Sequence, residues 1–129
     1  MNCLGNFYTP QLEIIHRGKV RDSIRVDEKT RMIVVSDRIS SFDNVLNNFV
    51  PQKGAVLTGI TNFWFEKTRK IVDNHFIKMV DSNISLVKEA EPIRVEMIVR
   101  GYLTGSMWRG YENGQREFSG VEVGDGLQQ

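Results

Sequence analysis

One cysteine and two histidines are all that these 129 residues offer in thiol or imidazole groups. A lone thiol, Cys3, excludes an intrachain disulfide and any cysteine-built metal site, and His16 and His75 lack metal-ligand spacing. No run of about 20 apolar residues occurs, so no membrane-spanning helix is expected. The opening MNCLGNFYTP has neither the charged nor the apolar region of a secretory leader. An excess of charge is missing as well. Seventeen Lys plus Arg against sixteen Asp plus Glu leave a formal charge of +1. That balance removes long-range attraction to nucleic acid or to an anionic membrane as a basis of function, so any anion binding must come from a local cluster. Repeats, low-complexity tracts and Pro/Gly/Ser linkers are absent too. These absences predict a cytoplasmic protein with no nucleic-acid or membrane partner.

What is present describes a globular chain, with 40% hydrophobic and 26% charged residues. The length alone favours one domain. LEIIHRGKVRDSIRV carries two β-rich runs. RMIVVSD is a third, and the polar DEKT (Asp27 to Thr30) between them predicts a hairpin of Val20–Val26 with Arg31–Ser36. In the third run Met32 and Val34 face one way and Ile33 and Val35 the other, which predicts a strand covered on both sides. From Gly54 the period turns helical. Val56, Ile60, Phe63, Trp64 and Ile71 form the predicted core face, Glu66, Lys67, Arg69 and Lys70 the wet face, and Asn74 a left-handed cap. FIKMV and IRVEMIVRGY read as strands, and a short helix near Ser106–Tyr111 stops at Gly114. The closing GVEVGDGLQQ, poor in apolar residues, shows no clear structural ending.

Four polar clusters could carry chemistry. In RGKVRD, a strand would put Lys19 and Arg21 on one face, with Gly18 allowing close approach. That is either a seat for polyphosphate or the charged outer face of a sheet. SDRISSFD (Ser36 to Asp43) is either a functional loop or a turn whose side chains bond the local backbone, although no turn requires Arg38. In PQKGAVLT, Lys53 and Gly54 either present a cation and free N–H groups to an anion or simply lead into a helix. Arg100, on the apolar run VEMIVRGYLTGSMW, needs an anion or a set of carbonyls. A buried carboxylate would serve. So would a ligand seated at an anion-binding nest near Thr104 and Ser106, with Gly101 and Gly105 free to take positive φ.

Taken in order, GKVRD, SDRISSFD, PQKGAVLT, NFWFEKT and VEMIVRGYLTGSMW resemble the amino-terminal half of the SAICAR synthetase family, from about Glu13 to Leu127. The pattern Glu96-x-x-Val99-Arg100-x-x-x-Thr104-Gly105-Ser106 is its most specific part. The resemblance implies an α+β fold: an antiparallel-sheet ATP-binding domain of kinase-like or ATP-grasp-like type over residues 1–99, then the start of a substrate-binding domain over 100–129. It implies an ATP-dependent ligase joining L-aspartate to carboxyaminoimidazole ribonucleotide with Mg²⁺ assistance, a reaction that needs preorganised cations. Lys19 and Arg100 are then the catalytic cations. Gly18, Lys19, Arg21, Glu96 and Met97 meet ATP. Asp37, Arg38, Ser40, Asp43, Lys53, Gly54, Arg100 and Ser106 meet the other substrates, with aspartate recognition placed at the Asp37–Asp43 loop.

Two departures from the family pattern stand out. Ile24 replaces a common aromatic. The family's later acidic Asp-x-Lys-x-Glu-type motif, which serves metal and nucleotide, has no counterpart here, so metal ligands are expected outside these residues and residues 1–129 alone are expected to be inactive. Alternative expectations are a truncated, non-catalytic nucleotide- or ribotide-binding fragment, one piece of a split enzyme, or a structural remnant. Self-association through an exposed domain surface is expected in any of these cases.

Overall fold

The structure, a computed structural model, describes residues 3–95, 97, 99 and 101–128. It forms two compact units, Met1–Pro92 and Ile93–Gln129. In the first, β1 (Ile14–Arg17), β2 (Arg21–Arg25), β3 (Thr30–Val35), β4 (Arg38–Ser41), β5 (Asn44–Phe49), α1 (Lys53–Thr68), β6 (Phe76–Asp81) and β7 (Ile84–Lys88) follow in order. Five of the strands make one sheet, ordered β1-β2-β3-β7-β6. Every pairing in it is antiparallel. With α1 packed on it, this is an α+β architecture.

The expected β2–β3 hairpin forms. Lys29 N–H donates to Asp27 Oδ1 at 2.7 Å and closes the polar turn through its side chain. Its register pairs Arg21 with Val35, Ser23 with Ile33 and Ile24 with Met32. One face therefore carries Arg21, Ser23, Ile33, Val35, Ser85 and Val87, and the other Asp22, Ile24, Met32, Val34 and Leu86. Val34 and Val35, on opposite faces of β3, are both buried, as the two-sided apolar pattern requires.

Several expectations need correction. The helix exists, but it lies on the sheet with its small and polar stripe. Gly54, Thr58 and Asn62 are its buried residues, while Val56, Ile60, Phe63 and Trp64 are each more than half exposed. The reason is visible at Gly54. A Cβ built there would lie 2.2 Å from the Val35 carbonyl oxygen, so only a residue without one lets α1 rest on the end of β3. That contact fixes the rotation of the helix, and the apolar stripe faces away. Asn74 is not left-handed. It works through its side chain, whose Nδ2 donates to Phe65 O at 2.9 Å and whose Oδ1 accepts from Phe76 N–H at 3.1 Å.

SDRISSFD is not a loop either. Its Arg38–Ser41 stretch is β4, followed by a two-residue turn to β5 in which Phe42 (φ 45°) and Asp43 (φ 67°) are both left-handed, as such turns demand. The strand expected over IRVEMIVRGY falls partly on Glu96, Ile98 and Arg100, outside the described residues. Between them Val95, Met97 and Val99 belong to no strand and are exposed. The strand β7 was not expected. Its Ile84, Leu86 alternation is too short to stand out without its partners on β3 and β6.

The second unit holds α2 (Gly105–Glu112), β8 (Glu117–Phe118) and β9 (Val121–Glu122). Gly105 has positive φ (67°), and Gly114 likewise ends the helix (88°). The closing segment is ordered around Tyr111, which is buried. Its hydroxyl donates to Gly124 O at 3.0 Å and accepts from Leu127 N–H at 3.1 Å, and the Arg116 guanidinium sits 4.1 Å from the ring centroid.

Candidate functional site

Lys19 and Arg21 do not share a strand. Lys19 lies in the tight turn between β1 and β2, closed by Gly18 N–H donating to Arg21 O at 2.7 Å, and Arg21 opens β2. The turn needs glycine: a Cβ at Gly18 would stand 2.9 Å from Arg21 O. The two cations nevertheless line one open cavity of about 620 Å³ beneath the turn, together with Gly18, Ser23 and Ile33. The Arg21 side chain has no ion-pair or hydrogen-bond partner among the described residues. Lys19 has one. Its Nζ meets Asp43 Oδ1 at 2.6 Å, and that hydrogen bond, reinforced by the lysine charge, holds the Asp43 carboxyl below the usual aspartate range. Both partners are well exposed, so the pair is screened and readily exchanged for another anion.

Arg21 also reaches a second cavity, of about 160 Å³, between α1 and the sheet. Its apolar walls include Ile33, Val35, Phe65 and Val87. Its polar lining comes from Thr58, Asn62 and Ser85, where Ser85 Oγ donates to Asn62 Oδ1 at 3.1 Å. Thr58 Oγ1 and Asn62 Nδ2 are buried without a protein partner. His75 also lines the cavity. Burial, and after it the Arg31 charge, push its imidazole below the ordinary 6.5 and favour the neutral form. Arg31 is itself paired with Glu89, through Nε to Oε2 at 2.7 Å and a second contact from Nη2 to Oε1.

The remaining expected site residues fall into four groups. Asp37 and Arg38 are buried and committed to internal partners. Asp37 accepts from Leu4 N–H at 3.0 Å and from Gly54 N–H at 2.9 Å, so its charge sits on the first turn of α1. Arg38 spends all five N–H donors inside the first unit. Both residues, expected to meet substrate, have these internal hydrogen bonds in this structure. Gly54 likewise serves close packing, its N–H and its missing Cβ both used by the fold. Ser40 and Asp43 are exposed on the β4–β5 hairpin, and Lys53 is half-buried at the start of α1. In the second unit Ser106 is exposed in the first turn of α2, and Met97 is exposed. Glu96 and Arg100 lie outside the described residues. Sequence reasoning missed Thr58 and Asn62, although Gly54, Thr58 and Asn62 at four-residue spacing already mark a polar helical face.

Among the described residues no three His, Cys, Asp or Glu side chains converge as a metal site. None of their helices is long and apolar enough to cross a membrane.

The fold and this cavity define a class: an antiparallel sheet and one helix, with a cationic glycine turn standing over an open cleft. A family model described as SAICAR synthetase matches residues 14–129, and the chain belongs to that family. Curated relatives agree. A phosphoribosylaminoimidazole-succinocarboxamide synthase from Halorhodospira halophila is 41% identical, covering 92% of this chain and 44% of its own. One from Neisseria meningitidis is 38% identical, covering 89% and 44%. The chain thus spans less than half the length of these relatives. Among solved structures, a SAICAR synthase from Saccharomyces cerevisiae complexed with SAICAR superposes with a TM-score of 0.87 at 30% identity, over 99% of this chain and 50% of its own. A type-2 SAICAR synthetase in complex with ADP gives 0.68 at 20% identity over 86% of this chain and 46% of its own, a likeness of fold.

Proposed function

We propose that this chain carries the nucleotide-binding part, and the start of the substrate-binding part, of an ATP-dependent ligase that joins L-aspartate to carboxyaminoimidazole ribonucleotide and releases ADP and phosphate. The observation that supports this best is the cation pair Lys19 and Arg21 on one open cavity under the Gly18 turn, with Arg21 uncommitted and Lys19 held only by an exposed carboxylate. Polyphosphate oxygens are the natural occupants of such a seat, because each cation donates charge-assisted hydrogen bonds that a neutral ligand could not use fully. The nucleotide-binding role is assigned to residues 1–99 and the ribonucleotide-binding role to 100–129.

On this reading the ATP phosphates displace Asp43 from Lys19 and are held by Lys19 and Arg21, which stabilise charge on the phosphoryl group as it passes to the substrate carboxylate. The freed Asp43, which meets Lys19 of the same turn, is assigned together with Ser40 to recognition of the aspartate amine. Glu96 and Met97 are assigned to adenine, and Arg100 and Ser106 to the ribonucleotide phosphate. Mg²⁺ would neutralise phosphate charge when bound. The described residues offer it no cluster of ligands, so no role in holding it is given to this chain. The cytoplasm is the setting such a biosynthetic enzyme needs. The exposed stripe Val56, Ile60, Phe63 and Trp64 is assigned to self-association or to covering by further protein.

A second reading, a nucleotide-binding module without turnover, draws on the same lack of a metal cluster. The two separate in one experiment. The chain is assayed for aspartate-dependent ADP release, alone and mixed with the carboxy-terminal half of a relative. The ligase reading expects amide formation in the mixture that Lys19→Met abolishes. Saturable ATP binding with no turnover in either arm would favour the module.

A further inference from the structure

We propose that Arg38 is a positioning residue: it acts through the Gly18–Arg21 turn and makes that turn an anion seat. The inference rests on the reading that this turn takes nucleotide phosphates. Arg38 is 6% exposed, and its guanidinium lies behind the turn. Nη2 donates to Gly18 O at 3.1 Å and to Asp22 Oδ1 at 2.7 Å, and Nε donates to Lys19 O at 3.0 Å. Nη1 is tied back to Gly5 O at 3.1 Å and Asn6 Oδ1 at 2.8 Å. No donor remains for a ligand. The next carbonyl is drawn inward as well, since Val20 O accepts from Ser36 Oγ at 2.9 Å and from Ser36 N–H at 3.0 Å.

Peptide geometry gives this a consequence. No peptide bond among the described residues is cis. In a trans unit the C=O of one residue and the N–H of the next point in opposite directions. Pulling the carbonyls of Gly18 and Lys19 onto Arg38 therefore turns the N–H groups of Lys19 and Val20 away from it. Neither N–H has an acceptor among the described residues. Two successive free N–H groups beside a lysine form a concavity that suits a phosphate oxygen. Arg38 thus supplies no bond to the ligand. It orients two backbone donors and fixes the turn from which Lys19 projects. A lysine in its place has three donors on one atom and cannot hold two carbonyls, a carboxylate and the amino-terminal segment together.

The test is ADP affinity, measured by calorimetry with the melting temperature of each variant alongside, for the parent chain, Lys19→Met, Arg38→Lys and the double variant. Lys19→Met should weaken ADP about tenfold or more, the scale of one charge-assisted contact. Arg38→Lys should weaken it about tenfold too, and the double variant should lose little beyond the worse single, because both changes act on one seat. Asn6→Ala, at an exposed residue, should loosen Arg38 without endangering the fold and cost ADP affinity a few-fold, which keeps the test available should Arg38→Lys not fold. A lowered melting temperature with ADP affinity unchanged in Arg38→Lys and Asn6→Ala, or losses that simply multiply in the double variant, would overturn the positioning role and leave the phosphate reading standing. No saturable ADP binding by the parent, or none lost in Lys19→Met, would remove the phosphate reading and this inference with it.

Discussion

Replacing glycine by alanine inside a helix ordinarily stabilises it by up to about 1 kcal/mol. In α1 two glycines should respond with opposite signs. At Gly54 a Cβ would stand 2.2 Å from Val35 O and 3.0 Å from Val35 C, both backbone atoms that cannot rotate away, whereas ordinary contact begins near 3.4 Å. Relief requires the start of α1 to retreat from β3 by about 1 Å, by that difference. The retreat pulls Gly54 N–H off Asp37 Oδ1, now 2.9 Å away, and leaves the buried carboxylate with Leu4 N–H on its other oxygen. A hydrogen bond to a charged group contributes about 1.5–3 kcal/mol, and overpacking costs about 1–3 kcal/mol. Set against the propensity gain, Gly54→Ala should destabilise the first unit by about 2–4 kcal/mol. Gly59 is exposed on the same helix, and a Cβ there would meet no atom within 4 Å. Gly59→Ala should therefore stabilise by about 0.5–1 kcal/mol. Urea unfolding followed by circular dichroism measures both. Equal stabilisation by the two substitutions would refute the close seating of α1 on β3 at Gly54.

His75 carries a pH dependence. Because its folded pKa lies below the ordinary 6.5, the unfolded chain binds more protons between those two values, and stability is lost as pH falls below about 6.5. Melting curves from pH 7.5 to 5 should show that loss, and His75→Gln should flatten it; an unchanged slope would remove the cause assigned to His75. Asp43→Asn takes away the carboxylate competing for Lys19, so ADP affinity should rise by about two- to threefold on the scale of an exposed pair, whereas a fall would mean that Asp43 supports the nucleotide. Trp64→Lys breaks the outward stripe of α1, and light scattering should show less self-association with stability changed by no more than about 0.5 kcal/mol. Loss of folding would place Trp64 in a core instead.

The strands of the first unit were legible wherever apolar residues alternate beside a polar turn, as in the hairpin around Asp27–Thr30. Helix α1 was legible in extent but not in orientation. Its periodicity marks two stripes, and Gly54 against Val35 O decides which one meets the sheet, a contact across the sequence that no local pattern reveals. The same holds for Asp37 and Arg38. Their residue types suggest ligand chemistry, and only the fold shows the amino-terminal residues Leu4, Gly5 and Asn6 and the β1–β2 turn consuming their hydrogen bonds. Lys19 and Arg21 were brought together by a different geometry from the one expected, a turn followed by a strand in place of one strand face. Thr58 and Asn62 are not legible as a buried face, because the apolar residues at helical spacing lie on the opposite stripe.

The central claim is that the Gly18–Arg21 turn receives nucleotide phosphate, and backbone amide shifts of the ¹⁵N-labelled chain during titration with ADP test it most directly. Saturable shifts are expected that are largest at Gly18, Lys19, Val20 and Arg21, smaller at Ser23 and Ile33 on the cavity wall, and lost in Lys19→Met. Saturable shifts confined to other segments, with these residues unmoved, would contradict it.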